Sequence, residues 1–283
     1  MFKLGATVKA MEDVTYWRDS RVEGLEISHV SASRHVFPDH AHDGIYAVGM
    51  MLAGGAYCLG AKKSYSLVSP GQIALINPSQ VHSGVPAAGR QSYRMIYFNM
   101  NLLAAAAAEI AGKLRAIPEF ACMVVGDPLL WRRLQQLCRV VQGPAGRLEK
   151  ESAIMETTDH LVSRYGNVSS GNTSSSSAGT AIERAKEYLA ANLDRKVPLE
   201  EAARAAGLSR YHFLRVFKRE TGFPPHQFRT LRRIDRARQL LRNGLAPAQT
   251  ALSVGFSDQS HFSNTFRRFT GATPGQYVAR SSS

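Results

Sequence analysis

Residues 212–228 reappear 49 positions downstream. The shift lays His212 on His261, Phe213 on Phe262, Phe217 on Phe266 and Lys218-Arg219 on Arg267-Arg268. It also aligns Thr221-Gly222 with Thr270-Gly271, Pro225 with Pro274, Gln227 with Gln276 and Phe228 with Tyr277. So dense a match means one structural unit used twice. In the first copy, residues 199–206 predict a short helix with Ala202-Ala203 inside, Gly207 takes the turn, and Ser209 caps a second helix to about residue 219. In the second copy, residues 247–254 are the short helix, Gly255 the turn, and Ser257 the cap of a helix to about residue 268. Alanine lets the paired helices approach closely, and Phe213, Phe217, Phe262 and Phe266 fill two small cores while basic residues point outward. That pattern is a helix-turn-helix.

Between the copies, residues 225–243 predict one helix, opened by Pro225, closed by Gly244, and burying Phe228, Leu231, Ile234 and Leu241. Its other side carries Arg229, Arg232, Arg233 and Arg236. A rigid connector fixes the separation of the two second helices, so both can enter major-groove segments about 34 Å apart. Charge agrees with such a partner. The chain carries +13 overall, and from residue 181 onward 18 Lys+Arg stand against 8 Asp+Glu, compared with 17 against 14 before it. A domain that basic suits a polyanion, although a solvated charged face gives the same imbalance.

The paired motifs Gly255-Phe-Ser-Asp-Gln-Ser-His-Phe262, Gly271-Ala-Thr-Pro-Gly-Gln-Tyr277 and Phe217-Lys-Arg-Glu-Thr-Gly222 closely resemble the AraC/XylS family of transcription regulators over residues 181–278. The resemblance implies double-stranded DNA as partner, with RNA polymerase as a second one, and base reading by the exposed faces of both second helices. Carried over by position, these are Arg210, Tyr211, Leu214 and Arg215 in the first unit and Asp258, Gln259, Ser260 and Asn264 in the second. By chemistry, Arg215 can fork onto guanine and Gln259 onto adenine, while Tyr211 and Leu214 offer apolar contact to a thymine methyl. Lys218, Arg219, Arg267 and Arg268 lie further along and suit phosphate, which positions without specifying. His212 and His261 are expected to be structural or to touch phosphate. Asn264 departs from the family, where Arg is common, so the first unit is expected to dominate affinity. Thr250 stands where a larger aliphatic is usual, which predicts a looser second core.

Residues 168–180, rich in Ser and Gly, have little to bury and are expected to form an interdomain linker. Upstream, residues 24 to about 100 hold β-branched and aromatic runs (45–51, 73–76, 93–98) punctuated by Gly54-Gly55, Pro70-Gly71, Asn77-Pro78 and Gly84, the pattern of a compact antiparallel barrel. Helical spacing follows: Asp127-Pro128 starts one helix through Leu130, Leu134, Leu137 and Val141, and a second is expected over about 148–165 with Met155, Thr158, Val162 and Tyr165 on one face. A spare apolar stripe on that hairpin suits a homodimer seam, while packing of both helices on the barrel is an equal alternative. The expected fold class is therefore α+β. Residues 1–167 form a β-barrel with a helical hairpin, and residues 181–283 an all-α domain of two helix-turn-helix units joined by a long helix.

Pro38-Asp-His40-Ala-His42-Asp43, then Pro70-Gly71, then Asn77-Pro78 through His82, resembles the cupin-type sensor often fused to this DNA-binding module. The resemblance implies a small-molecule effector, with His40, His42, Tyr46, His82, Tyr93 and Arg94 as candidate contacts. His-x-His plus a later His also suits a metal, but the acidic ligand expected after the pair is missing, so no metal, cofactor or catalytic residue is assigned. A metal-dependent cupin enzyme with an appended DNA-binding domain is the alternative function. Cys58, Cys122 and Cys138 are widely spaced and read as buried thiols of a reducing compartment. No stretch approaches the ~20 apolar residues that cross a bilayer, so no membrane partner and a cytoplasmic location are expected.

Overall fold

In the computed structural model, which describes residues 13–19, 22–59, 65–87, 89–111, 117–167 and 177–279, the apolar runs before residue 100 become antiparallel strands. They are β1 Asp13–Trp17, β2 Leu25–Ser33, β3 Phe37–His40, β4 Ile45–Ala53, β5 Gly55–Leu59, β6 Tyr65–Val68, β7 Ile73–Ile76, β8 His82–Pro86 and β9 Gln91–Asn99. Helix α1 (Met100–Ala111), which the sequence reading missed, leads to the short strands β10 (Glu119–Phe120) and β11 (Val124–Val125). The helical hairpin follows as α2 (Pro128–Gln142) and α3 (Arg147–Tyr165), and the two-residue β12 (Gly166–Asn167) pairs back onto β10.

A six-stranded sheet, β1-β2-β9-β4-β7-β11, faces a four-stranded sheet, β3-β8-β5-β6. The space between them is filled by Val30, Ala47, Met51, Val68, Ile76, Tyr93 and Met95. The other face of the large sheet carries Ile27, Tyr46, Val48, Met50, Leu75, Ile96 and Phe98 and is covered by α1, α2 and α3. The sheet is thus apolar on both faces, which makes β4 a nearly continuous buried run instead of an alternating one.

Asp127 caps α2, its carboxylate accepting from the amides of Leu129 and Leu130 at 2.8 and 3.0 Å. Leu130, Leu134, Leu137 and Val141 are all buried, as the periodicity predicts. The face of α3 differs from the expectation by part of a turn. Ile154, Thr157, Thr158, Leu161 and Val162 are buried, whereas Met155 is 59% exposed. Two threonines on the packed side hide that stripe from an apolar-period reading. Cys122 is exposed, contrary to the expectation of three buried thiols; Cys58 and Cys138 are buried.

The C-terminal part is helical throughout: α4 (Ser177–Ala191), α5 (Leu199–Ala206), α6 (Arg210–Thr221), α7 (Pro225–Arg242), α8 (Pro247–Ser253), α9 (Gln259–Thr270) and α10 (Pro274–Ala279). Helix α4 takes in residues 177–180 of the expected linker, and residues 168–176 lie outside the described residues. Gly207 and Gly255 adopt φ of +68° and +80°, the left-handed turn each unit requires. Asp258, not Ser257, caps α9, accepting from the amide of His261 at 2.7 Å. Ser209 stands at the cap position of α6 without a side-chain bond. Thr250 is fully buried and donates to the carbonyl of Leu245. Helix α7 buries Phe228, Leu231, Ile234 and Leu241, and also Ala237 and Arg238.

Candidate functional site

The two recognition helices, α6 and α9, keep their cores inward and their candidate reading faces outward. Phe213, Val216 and Phe217 are buried in α6, and Phe262, Phe266 and Phe269 in α9. Arg210, Tyr211, Leu214, Arg215, Lys218 and Arg219 are exposed, with Tyr211 at 81%. Gln259, Ser260, Asn264, Arg267 and Arg268 are exposed in the same way on α9, as are His212 and His261. A bare Tyr and Leu beside four cations is a surface shaped for an amphipathic partner such as a duplex groove. Local partners qualify two of the candidates. Arg210 pairs with Glu200 at 2.6 Å and Arg219 with Glu220 at 2.7 Å, so each carboxylate competes with a phosphate or base for its guanidinium. Asp258 is occupied as a cap, and its carboxylate would meet the phosphate charge.

The arginines of α7 work mostly within the protein. Arg229 and Arg233 donate to the carbonyls of Asn192 and Leu193 at the end of α4, binding the connector to the first unit. Arg232 pairs with Asp43 of the barrel.

The barrel holds the helical domain through a buried ionic group. Glu26 on β2 is 3% exposed and accepts from Arg18 Nε at 2.6 Å, Tyr277 Oη at 3.0 Å and Arg238, with Arg242 at 3.6 Å. Burial raises its pKa, but Arg238, Arg18 and Arg242 outweigh that and hold the carboxyl down at about 2. Tyr16 donates to the carbonyl of Thr270 at 2.6 Å and lies edge-on to Tyr277. The ends of both recognition helices meet the barrel alike. Gly222 and Gly271, each with φ near +78°, close α6 and α9. A Cβ added at Gly222 would lie 2.7 Å from Val81, and one at Gly271 3.2 Å from Phe37. Sequence reading missed this set, yet two signals were present. Arg238 falls on the buried stripe of α7, between Ile234 and Leu241. Tyr277 adds a hydroxyl to the Phe228 position of the repeat, and that hydroxyl is the atom that reaches Glu26.

The six expected effector contacts separate. His40, His42 and His82 converge, with ring centroids 4.1 to 5.1 Å apart and all three buried. Burial holds the imidazolium forms off, pushing His82 down to about 4 and His40 and His42 well below their usual range. Tyr93 is buried between the sheets. Tyr46 and Arg94 face the helical layer instead: the Tyr46 hydroxyl donates to the carbonyl of Pro118 at 2.5 Å, and Arg94 lies at the Cys138 thiol, where burial pushes the thiol up to about 11. Two clefts, of about 390 and 1120 Å³, open between barrel and helical domain. The first is lined by Ala41, Asp43 and Ile182, and the second by Arg18, Tyr97, Arg236 and Arg242.

A double helix-turn-helix domain clamped to a small β-barrel defines a one-component DNA-binding regulator. Likeness to known proteins places it further. Residues 202–280 match the family described as "Helix-turn-helix domain", and residues 24–157 match "AraC-like ligand binding domain". An uncharacterized HTH-type transcriptional regulator of Bacillus subtilis, YbfI, is 31% identical over 80% of this chain and 81% of its own. The virulence regulon transcriptional activator VirF of Yersinia enterocolitica is 35% identical over 33% of this chain and 35% of its own. In fold the chain is similar to an apo single-residue variant of ToxT from Vibrio cholerae, with a TM-score of 0.64 at 12% identity, over 92% of this chain and 99% of that one. Wild-type ToxT with an unsaturated fatty acid bound gives 0.62 at 12% identity, over 94% and 98%. The chain belongs to the AraC-type transcriptional regulators. Among the described residues no helix is long and apolar enough to cross a membrane.

Proposed function

We propose that this regulator reads duplex DNA with Arg215 and Gln259 as its main base contacts and changes its DNA affinity when a small molecule alters how the helical domain docks on the barrel. The buried Glu26 group carries the reading. One carboxylate of the sensor domain is met by Arg238 and Tyr277 of the DNA-binding domain, so the docked state is a defined arrangement that a ligand can favour or oppose. A ligand shifts such an equilibrium only if it binds one state more tightly. The two interdomain clefts meet that condition, because any molecule touching both walls loses half its contacts on undocking. They are better effector sites than the six-residue barrel pocket expected from sequence, whose members divide between the inter-sheet side and the helical side of the large sheet. The fatty acid in ToxT is a precedent for small-molecule binding within this fold.

Action by binding instead of turnover, contact with RNA polymerase and a cytoplasmic location complete the proposal. Dimerisation through α3 is supported by Leu148 and Met155, 78% and 59% exposed and two turns apart. The test begins with a genome-wide map of bound sites, which supplies the operator and the regulated genes. Metabolites of the encoded pathway are then added to the full chain on operator DNA. A change in affinity of about 5- to 150-fold is expected, with no response from residues 177–283 alone. Binding of such metabolites without any change in operator occupancy would overturn effector control.

A further inference from the structure

We infer that His40, His42 and His82 form a binding site for one divalent transition-metal ion of the Zn²⁺, Co²⁺ or Ni²⁺ type. The site goes beyond the regulatory reading and stands without it. The three residues each offer a ring nitrogen, and these atoms lie within 4.8 Å of one another. Hydrogen bonds set which nitrogen is offered. His40 Nδ1 lies 2.7 Å from the carbonyl of Pro38 and His82 Nδ1 2.9 Å from the carbonyl of Gln80. A carbonyl only accepts, so both Nδ1 atoms carry the proton, and each neutral ring keeps its Nε2 lone pair. Fixing the tautomer by a carbonyl on the far nitrogen is the outer-shell arrangement that metal-bound histidines use.

The fold makes the convergence a rigid one. His40 and His82 are register partners across the β3–β8 pair, and His42 follows two residues after His40. Tyr97 lies edge-on to His42 and Phe37 lies tilted beside His40, at 5.5 and 6.1 Å between ring centroids. A cation would use the lone pairs of all three rings at once. Imidazole donors without carboxylate select borderline ions over Mg²⁺ or Ca²⁺. The missing acidic ligand does not count against the site, because three protein donors with an open position is the arrangement of reactive zinc centres, and that position would accept water or an oxygen or nitrogen donor from a ligand. The ligand segment is also a docking segment: Ala41, between two of the histidines, packs in the helical-domain core, Asp43 pairs with Arg232, and the Asp39 carbonyl accepts from Gln227 at 3.3 Å.

The test uses the full chain, stripped with a chelator and then given ZnCl₂, CoCl₂ or MgCl₂. One equivalent of Zn²⁺ or Co²⁺ per chain is expected, retained against a chromophoric chelator, with visible ligand-field bands for Co²⁺ and no retention of Mg²⁺. X-ray absorption at the zinc edge should count three imidazoles, a readout that needs no variant to fold. His42→Ala and His82→Gln should weaken Zn²⁺ binding by at least about 100-fold, more than loss of an outer-shell partner does, while His226→Ala leaves it unchanged. Substoichiometric Zn²⁺, a shell of oxygens alone, or equal affinity in the histidine variants would overturn the site. DNA binding by the stripped chain, measured in parallel, separates this outcome from failure of the regulatory reading.

Discussion

Replacing Glu26 by Gln removes one charge at the meeting point of the two domains and keeps the shape. Glu26 and Arg238 have side chains 4% and 6% exposed, and Arg18 is 12% exposed, so solvent screens the group little. A carboxyl held from 4.5 down to about 2 is stabilised in its charged form by about 3 kcal/mol. Removing one partner of a buried pair costs about 3–5 kcal/mol by independent measure, because the other charge stays buried. Arg238 and Tyr277 can relieve the strain by leaving the barrel and hydrating. The loss should therefore appear as undocking, with each domain still folded. Hydrogen–deuterium exchange by mass spectrometry should show faster exchange in β2, the second half of α7 and α10, and unchanged exchange within α2, α5 and α8. Acid should mimic the substitution. The folded pKa lies below the ordinary one, so the stabilisation is complete above about pH 4.5 and fades as pH falls towards 2. Unchanged exchange at α7 and α10 in Glu26→Gln, or loss of barrel protection throughout, would refute the assignment of Glu26 as the interdomain tie.

Two further substitutions test local assignments. Asp127→Ala removes the α2 cap together with the bonds from His160 at 3.0 Å and Tyr165 at 2.8 Å, and should cost about 1–2 kcal/mol in denaturant unfolding, most of it retained by Asp127→Asn. Arg215→Ala should cost about 1–3 kcal/mol on operator DNA and relax preference at one base pair, whereas Lys218→Ala should weaken operator and random duplex equally. Fluorescence anisotropy on both duplexes distinguishes the two, and an equal loss on random DNA for Arg215→Ala would reassign it to phosphate.

What could be read from sequence was local, and what could not was relational. Gly207, Gly255, Pro225 and the paired phenylalanines state their own backbone and burial requirements, so both helix-turn-helix units and their connector were legible almost to the residue. Asp127-Pro128 did the same for α2. The phase of β4 and β9 was not legible, because strands apolar on both faces carry no alternation to say which side of Tyr46 or Arg94 meets the barrel interior. Ser257 and Asp258 are both good caps, and only the backbone chooses between them. Glu26 finds its partners 212 and 251 residues away across a Ser-rich segment, a pairing no local pattern encodes. The histidines converged because His40 and His82 fall opposite each other in the β3–β8 register, which is set by pairing and not by spacing along the chain.

The glycines that end α6 and α9 bear on how such proteins can be recombined. Each leaves room for a barrel side chain, Val81 in one case and Phe37 in the other. A chimera cut in the Ser-rich stretch would join two sound domains and yet lose their fit, since the incoming barrel must present side chains shaped to lie against two glycines whose places are set by the helical repeat. Transplanting Val14, Tyr16, Glu26, Phe37 and Val81 with the helical domain would carry the fit along. The natural unit of exchange in this chain is thus a patch of surface, not a segment of sequence.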